Sequence, residues 1–126
     1  MSKTIITSIE NRDDFLNLLK ENPGLIIVKF GASWCNPCKL IEKDVDNFFI
    51  NSPENVICCD IDIDKNSDVF SYLKSKKMVV GVPILLCYKK GNITYIPDES
   101  VSGSDKNQVN TFFKNCVKIL KENSKS

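Results

Sequence analysis

The chain has 126 residues, 42% of them hydrophobic, which suits one globular domain over residues 1–126 with a substantial core. Lys and Arg total 17 against 16 Asp and Glu, and this near balance argues against nucleic acid or an anionic membrane as the main partner. The chain has no histidine, which excludes Cys-His hydrolases and an imidazole base. We find no signal-peptide pattern and no apolar run long enough to cross a bilayer, so we expect a cytoplasmic protein without a membrane segment.

The first part of the chain predicts a strand, a helix and a second strand. Thr4 to Ile9 is rich in Ile and Thr, as strands are, and Asn11 is a candidate N-cap for a helix that ends before Asn22-Pro23-Gly24. Leu25 to Phe30 is almost entirely apolar, which is typical of a central strand covered on both faces. Lys29 is the one charged residue in this run.

Two cysteines follow that strand in the segment Trp34-Cys35-Asn36-Pro37-Cys38-Lys39. We expect a helix to begin near Cys35, which then faces unpaired backbone N–H groups and the positive end of the helix dipole. This setting favours the thiolate, the reactive form of cysteine. Pro37 suits the first helical turn, where its missing N–H has no partner. Cys38 lies one turn further along, close enough to close a small disulfide ring with Cys35.

The pattern from Pro37 to about Asn51 is helical. Its apolar residues are predicted to point inward: Leu40, Ile41, Val45, Phe48 and Phe49. Val56 to Ile63 alternates in its second half and predicts another interior strand, so that strand, helix and strand form a right-handed βαβ unit. Ser67 or Asn66 then caps a helix that ends at the basic residues 74–77.

The third part of the chain predicts a β-hairpin. Ile84 to Tyr88 is an apolar strand, Lys90-Gly91-Asn92 is a turn signal, and Ile93 to Ile96 is predicted to pair back as the second strand. Pro97 to Ser100 is predicted to be a polar loop. The hairpin therefore follows the third predicted helix.

A last helix is predicted after Gly103, capped by Ser104 or Asp105. Its apolar stripe comprises Val109, Phe112, Phe113, Cys116, Val117 and Leu120. Residues 122–126 are predicted to be a frayed tail. The predicted order is β-α-β-α-β-α-β-β-α.

Taken together, these motifs resemble the thioredoxin family over roughly residues 4 to 120. The cysteine segment is similar to the family's Trp-Cys-Gly-Pro-Cys-Lys, with Asn36 in place of glycine. Val82-Pro83 resembles the family's cis-proline, which contacts the bound substrate, and Gly103 resembles the glycine that lines the docking surface. The resemblance implies an α/β thioredoxin fold, with three α/β/α layers around a central mixed sheet.

The resemblance also implies a thiol–disulfide oxidoreductase. Cys35 would attack a protein disulfide and Cys38 would resolve the mixed disulfide. The implied docking surface comprises Trp34, Val82, Pro83 and Gly103. We expect no metal and no cofactor other than the Cys35–Cys38 disulfide itself. The implied partners are disulfide-containing proteins and an electron-donating reductase, and the chain is expected to be a monomer.

Three departures from the family pattern bear on this interpretation. Lys29 stands where the family usually has a buried carboxylate, and Asp60 stands where the best-known member has the partner lysine. Lys43 replaces a helix-kinking proline, and residues 97–100 resemble a small insertion. The charge pair is therefore inverted relative to the family pattern.

The inverted pair leads to a redox hypothesis. A buried Lys29 ammonium would stabilise the Cys38 thiolate, favour the dithiol form, and make the protein a stronger oxidant than thioredoxin. Asp60 would cancel this effect if it neutralised Lys29, and a neutral Lys29 would instead serve as the proton acceptor. Asn36 and Pro37, between the cysteines, also belong to the residues that tune the redox potential.

Two alternatives stay open at this point. The chain is either an oxidoreductase or a binding module that uses the same fold to dock a partner with little redox turnover. The remaining cysteines are interpreted as core residues: Cys58, Cys59, Cys87 and Cys116. If the gene is viral, the virion is a second location to consider.

Overall fold

The structure, a computed structural model, describes residues 3–123. The strands are β1 Ile5–Ile6, β2 Leu25–Gly31, β3 Val56–Asp62, β4 Ile84–Lys89 and β5 Glu99–Ser102. The helices are α1 Arg12–Lys20, α2 Asn36–Asn51, α3 Ser67–Ser75 and α4 Lys106–Asn123. This is the element order predicted from the sequence, and the first strand is shorter than expected.

The strands form a mixed sheet in the order β1-β3-β2-β4-β5. β1, β3 and β2 are parallel, whereas β4 is antiparallel to β2 and β5 is antiparallel to β4. In this register, Lys29 of β2 lies between Asp60 of β3 and Leu85 of β4. Because β2 is the central strand, its carboxyl end and the cysteine loop that follows it lie at the middle of one edge of the sheet.

Helices cover both faces of the sheet, because successive side chains of β2 point to opposite faces. Ile26, Val28 and Phe30 pack in one apolar cluster with α1 and α3. Leu25 and Ile27 pack in a second cluster with α2 and α4. The predicted three-layer α/β/α architecture is therefore confirmed.

Local side-chain bonds begin two of the helices as predicted. The Asn11 side-chain oxygen accepts the N–H of Asp14 at 2.9 Å and caps α1. The Asp105 side-chain oxygen accepts the N–H of Gln108 at 3.0 Å, so Asp105 supplies the cap of α4. Each of these caps satisfies a backbone donor that has no partner inside the helix.

The prediction of a strand at Ile93 to Ile96 is wrong, because β5 begins only at Glu99. The Asn92 side chain accepts the N–H of Thr94 and donates to the carbonyl of Ile96, both at 2.9 Å. These bonds fold residues 92–96 into a compact loop. They also occupy backbone groups that would otherwise form hydrogen bonds with a neighbouring strand. The predicted polar loop at residues 97–100 therefore overlaps the true strand.

Three smaller expectations about the helices are also corrected. Leu40 is 63% exposed, because the buried stripe of α2 follows Ile41, Val45 and Phe49 at four-residue spacing. Val117 lies at the edge of the α4 stripe and is exposed. The helix continues through residues 122 and 123, which were predicted to be frayed, and residues 124–126 lie outside the described residues.

Candidate active site

The cysteine loop places Cys35 at the amino end of α2. Cys35 is the N-cap residue with extended backbone angles, φ −89° and ψ 102°, and its Sγ accepts the N–H of Cys38 at 3.2 Å. Pro37 lies in the first turn of the helix. The sulfur thus occupies the position where a capping oxygen usually satisfies the free N–H groups.

Cys35 and Cys38 form a disulfide bond, with their Cα atoms 5.3 Å apart. Only 4% of Cys35 and 5% of Cys38 is exposed, so neighbouring residues cover most of both side chains. Among residues 3–123, no group of three or more His, Cys, Asp or Glu side chains is placed to hold a metal ion.

Trp34 lies beside the disulfide and is 63% exposed. Its indole Nε1 donates a hydrogen bond to the Asp64 carboxylate at 2.8 Å, and the Asp64 N–H in turn donates to Asp62 at 2.9 Å. The sequence analysis did not single out Asp64. A signal was present, since Asp64 follows the end of β3 and the neighbouring parallel strands β2 and β3 end at the same sheet edge.

The peptide bond between Val82 and Pro83 is cis, in agreement with the resemblance. Pro83 precedes Ile84, which pairs with Phe30 at the end of β2, so it lies at the sheet edge from which the cysteine loop departs. Gly103 has φ +90°, and its N–H donates to the carbonyl of Pro83 at 2.9 Å. The antiparallel β4–β5 pair therefore joins two of the predicted docking residues.

Lys29 is buried, at 5% exposed, and its Nζ lies 3.8 Å from Asp60 Oδ1. A Cβ placed on Gly31 would lie 3.5 Å from the Cys38 Sγ and 3.7 Å from the Lys29 Cε, so both side chains reach the space next to Gly31. Lys29, Asp60 and Cys38 all line one cavity of about 300 Å³. The predicted burial of Lys29 beside Asp60 is thus observed.

Burial raises the pKa of the Asp60 carboxyl, and the positive charge of Lys29 opposes that increase. The nearby carboxylates of Asp46, Glu42 and Asp62 add to it. The Asp60 side chain nevertheless remains 38% exposed, so it exchanges protons with solvent. The charge pair consists of a buried cation and a partly hydrated anion.

All six cysteines lie within the described residues, and the four outside the motif are free and buried. Burial raises the pKa of Cys58 and of Cys59, and a side-chain hydrogen bond with Cys87 followed by burial raises that of Cys116. Cys58, Cys59 and Cys116 therefore stay protonated at neutral pH, and all four free cysteines pack as small apolar side chains. They lie in the core, as the sequence indicated.

A disulfide at the start of the helix after the central strand, near a cis-proline, defines a Cys-x-x-Cys protein with the thioredoxin fold. The family model described as Thioredoxin matches residues 6–115. The chain belongs to the thioredoxin family.

Curated relatives agree with this assignment. The chain is 26% identical over 110 residues to mitochondrial thioredoxin of Mus musculus, covering 87% of this chain and 62% of that protein. It is 29% identical over 87 residues to thioredoxin-2 of Saccharomyces cerevisiae, covering 69% of this chain and 79% of that one. The aligned part thus spans less than two thirds of the mouse relative's length.

Solved structures agree with the fold. A thioredoxin of Halobacterium salinarum superposes with a TM-score of 0.69 at 21% identity, covering 95% of each chain. A thioredoxin of Nicotiana alata gives a TM-score of 0.68 at 24% identity, covering 95% of this chain and 96% of that one. Over residues 3–123, no helix combines the length and apolarity that a membrane crossing requires.

Proposed function

We propose that this protein is a thiol–disulfide oxidoreductase that acts on disulfides of other proteins. The observation that carries the proposal is the bonded Cys35–Cys38 pair with Cys35 Sγ at the N-cap of α2. Free N–H groups and the helix dipole stabilise a negative charge at that sulfur, which favours the thiolate of the reduced protein.

The reaction proceeds by two exchanges. The Cys35 thiolate attacks one sulfur of the substrate disulfide, and the other substrate sulfur leaves as a thiolate. Cys38 then attacks Cys35 Sγ, which breaks the mixed disulfide and releases the second substrate sulfur. The protein is left with its Cys35–Cys38 bond and the substrate with two thiols, so two electrons have passed to the substrate.

The docking surface for the substrate comprises Trp34, Val82, Pro83 and Gly103. Trp34 offers an exposed aromatic surface whose indole is held by Asp64. Gly103 is held against Pro83 by the bond from its N–H to the proline carbonyl. We infer that a short extended segment around the substrate disulfide contacts this surface.

We further propose a redox potential less reducing than the thioredoxin value of about −270 mV. The support is Lys29, which lines the same cavity as Cys38 and whose positive charge favours the Cys38 thiolate and therefore the dithiol form. The negative charge of Asp60 weakens the effect of Lys29 on the redox potential. Asn36 and Pro37, which lie between the cysteines, also influence that potential. Redox titration against glutathione tests the proposal, and a potential at or below the thioredoxin value contradicts it.

Continued turnover requires a reductase that returns two electrons to the Cys35–Cys38 disulfide, and the chain acts as a monomer in this scheme. We place the reaction in the cytoplasm. The support is the set of four free cysteines, which is typical of proteins kept in a reducing compartment.

Reduction of insulin by dithiothreitol tests the activity. We expect the protein to accelerate insulin reduction and Cys35→Ser to abolish the acceleration. Cys58→Ser is the matched control, because it removes a thiol 3.4 Å from the Ser52 hydroxyl, away from the site, and is expected to retain activity. A wild-type protein no faster than dithiothreitol alone contradicts the proposal and favours the binding module.

A further inference from the structure

The Cys38 thiol must lose its proton before it can attack the mixed disulfide, because only the thiolate is nucleophilic. Cys38 is buried, and the cavity of about 300 Å³ beside it is where that proton can leave. Five other ionisable side chains line this cavity: Lys29, Lys39, Glu42, Asp60 and Asp62. A side chain of this protein that accepts the proton belongs to this set.

Geometry and charge distinguish these five groups. Lysine ammonium groups carry no free lone pair, so Lys29 and Lys39 accept no proton while charged. Asp62 already accepts the N–H of Asp64 at 2.9 Å, and Glu42 is exposed on α2. Asp60 is partly buried and ion-paired to Lys29, which lines the same cavity as Cys38 and reaches the space next to Gly31 beside it.

We propose that Asp60, paired to Lys29, accepts the proton of Cys38 during resolution through the cavity that both Asp60 and Cys38 line. This inference rests on the proposed oxidoreductase function. The S–H bond of Cys38 breaks and its proton passes to the Asp60 carboxylate. The Cys38 sulfur forms the bond to Cys35, the bond from Cys35 to the substrate breaks, and its electron pair leaves on the substrate sulfur.

The charges around Asp60 suit this role. Its carboxylate faces Lys29 from β2, Asp62 from its own strand, and Glu42 and Asp46 from α2. Burial and the three carboxylates raise the pKa of Asp60, and only Lys29 lowers it. A carboxylate with a raised pKa is a stronger base than an ordinary surface aspartate, and its exposed edge returns the proton to solvent.

Stopped-flow reaction of the reduced protein with Ellman's reagent separates the two exchanges. The first thionitrobenzoate is released by the attack of Cys35, and the second is released when Cys38 resolves the adduct. At neutral pH we expect Asp60→Asn to slow the second release at least about tenfold and to leave the first release unchanged. The deficit should shrink as the pH rises, because hydroxide then deprotonates Cys38 directly.

Asp60→Glu should restore most of the second rate, and Asp44→Asn, which removes a carboxylate of α2 that does not line the cavity, should leave both rates unchanged. If Asp60 acted only through its negative charge, Asp60→Asn would speed the second release. In that variant the positive charge of Lys29 is no longer neutralised, and it favours the Cys38 thiolate. An unchanged or faster second release in Asp60→Asn overturns the inference. Absence of both releases in the wild type instead overturns the proposed function.

Discussion

Lys29 Nζ lies 3.8 Å from Asp60 Oδ1, a buried cation on the central strand beside a partly exposed carboxylate on its parallel neighbour. Both residues line the cavity beside the resolving cysteine, and Lys29 and Cys38 both reach the space next to Gly31. Low local dielectric strengthens the pair's field at the sulfur compared with an exposed ion pair.

Lys29→Met should make the redox potential more negative. Removing the cation disfavours the Cys38 thiolate and therefore the dithiol form, and a tenfold change in this two-electron equilibrium corresponds to about 30 mV. We expect a shift on the order of 15–30 mV. Titration against glutathione, followed by the fluorescence of Trp34, the single tryptophan, measures the shift. Lys43→Met, an exposed lysine on α2, should not change the potential, and a more positive value for Lys29→Met contradicts the argument.

Asp60 should also give a measurable pH dependence of stability. Burial raises its pKa in the folded protein above the ordinary value of 3.8, so the folded state holds the proton more tightly than the unfolded state. The free energy of unfolding must then fall as the pH rises from the unfolded pKa through the folded pKa. Urea unfolding of the wild type and of Asp60→Asn isolates this contribution. The stability of the wild type relative to the variant should decrease from about pH 3 to about pH 7, and an increase would rule out the raised pKa.

Asp64→Ala should weaken substrate reduction by freeing the indole of Trp34. The Nε1–Asp64 hydrogen bond of 2.8 Å is exposed, and one such bond contributes about 1 kcal/mol, equivalent to about a fivefold change. We expect insulin reduction to slow about two- to fivefold. Asp64→Asn retains a side-chain oxygen acceptor and should keep most of the activity. Equal rates for Asp64→Ala and the wild type would remove Asp64 from the site.

Gly24→Ala should destabilise the protein because there is no room for a methyl group. A Cβ at this position would lie 2.7 Å from the Asn55 carbonyl oxygen and 3.0 Å from Leu120 Cδ1. The Asn55 carbonyl accepts the Leu25 N–H at 3.1 Å, so the backbone there cannot shift freely. We expect a loss of about 1–3 kcal/mol in urea unfolding. In Gly81→Ala the Cβ meets nothing within 4 Å, so this control should lie within about 0.5 kcal/mol of the wild type.

Lys77→Gly should stabilise the protein. Lys77 follows α3 with φ +63°, a left-handed conformation that costs a side-chain-bearing residue about 1–2 kcal/mol and glycine almost nothing. Glycine's greater freedom in the unfolded chain offsets part of this gain, so we expect about 0.5–1 kcal/mol in thermal or urea unfolding. Lys77→Ala removes the same side chain but keeps the Cβ, and it should not show the gain. Equal stability of Lys77→Gly and Lys77→Ala would show that the positive φ at residue 77 does not strain the backbone.

The amino-acid sequence by itself determined the parts of the site that depend on neighbouring residues. Cys35 and Cys38 three residues apart, with Pro37 between them, specify a helix start with one sulfur at its cap. The cap at Asn11 was predictable for the same reason, since its bond spans three residues. Apolar runs likewise predicted a covered central strand.

Only the tertiary structure decided which distant groups meet. Trp34 and Asp64 are thirty residues apart and touch because two parallel strands end at one edge. The sequence predicted the second strand of the hairpin in the wrong place because hydrogen bonds from the Asn92 side chain compete with the backbone hydrogen bonds of a β-strand. Which of the two sets of bonds forms depends on tertiary packing. The environment of Lys29 is decided in the same way, since side-chain burial and charge depend on neighbours that the fold brings together.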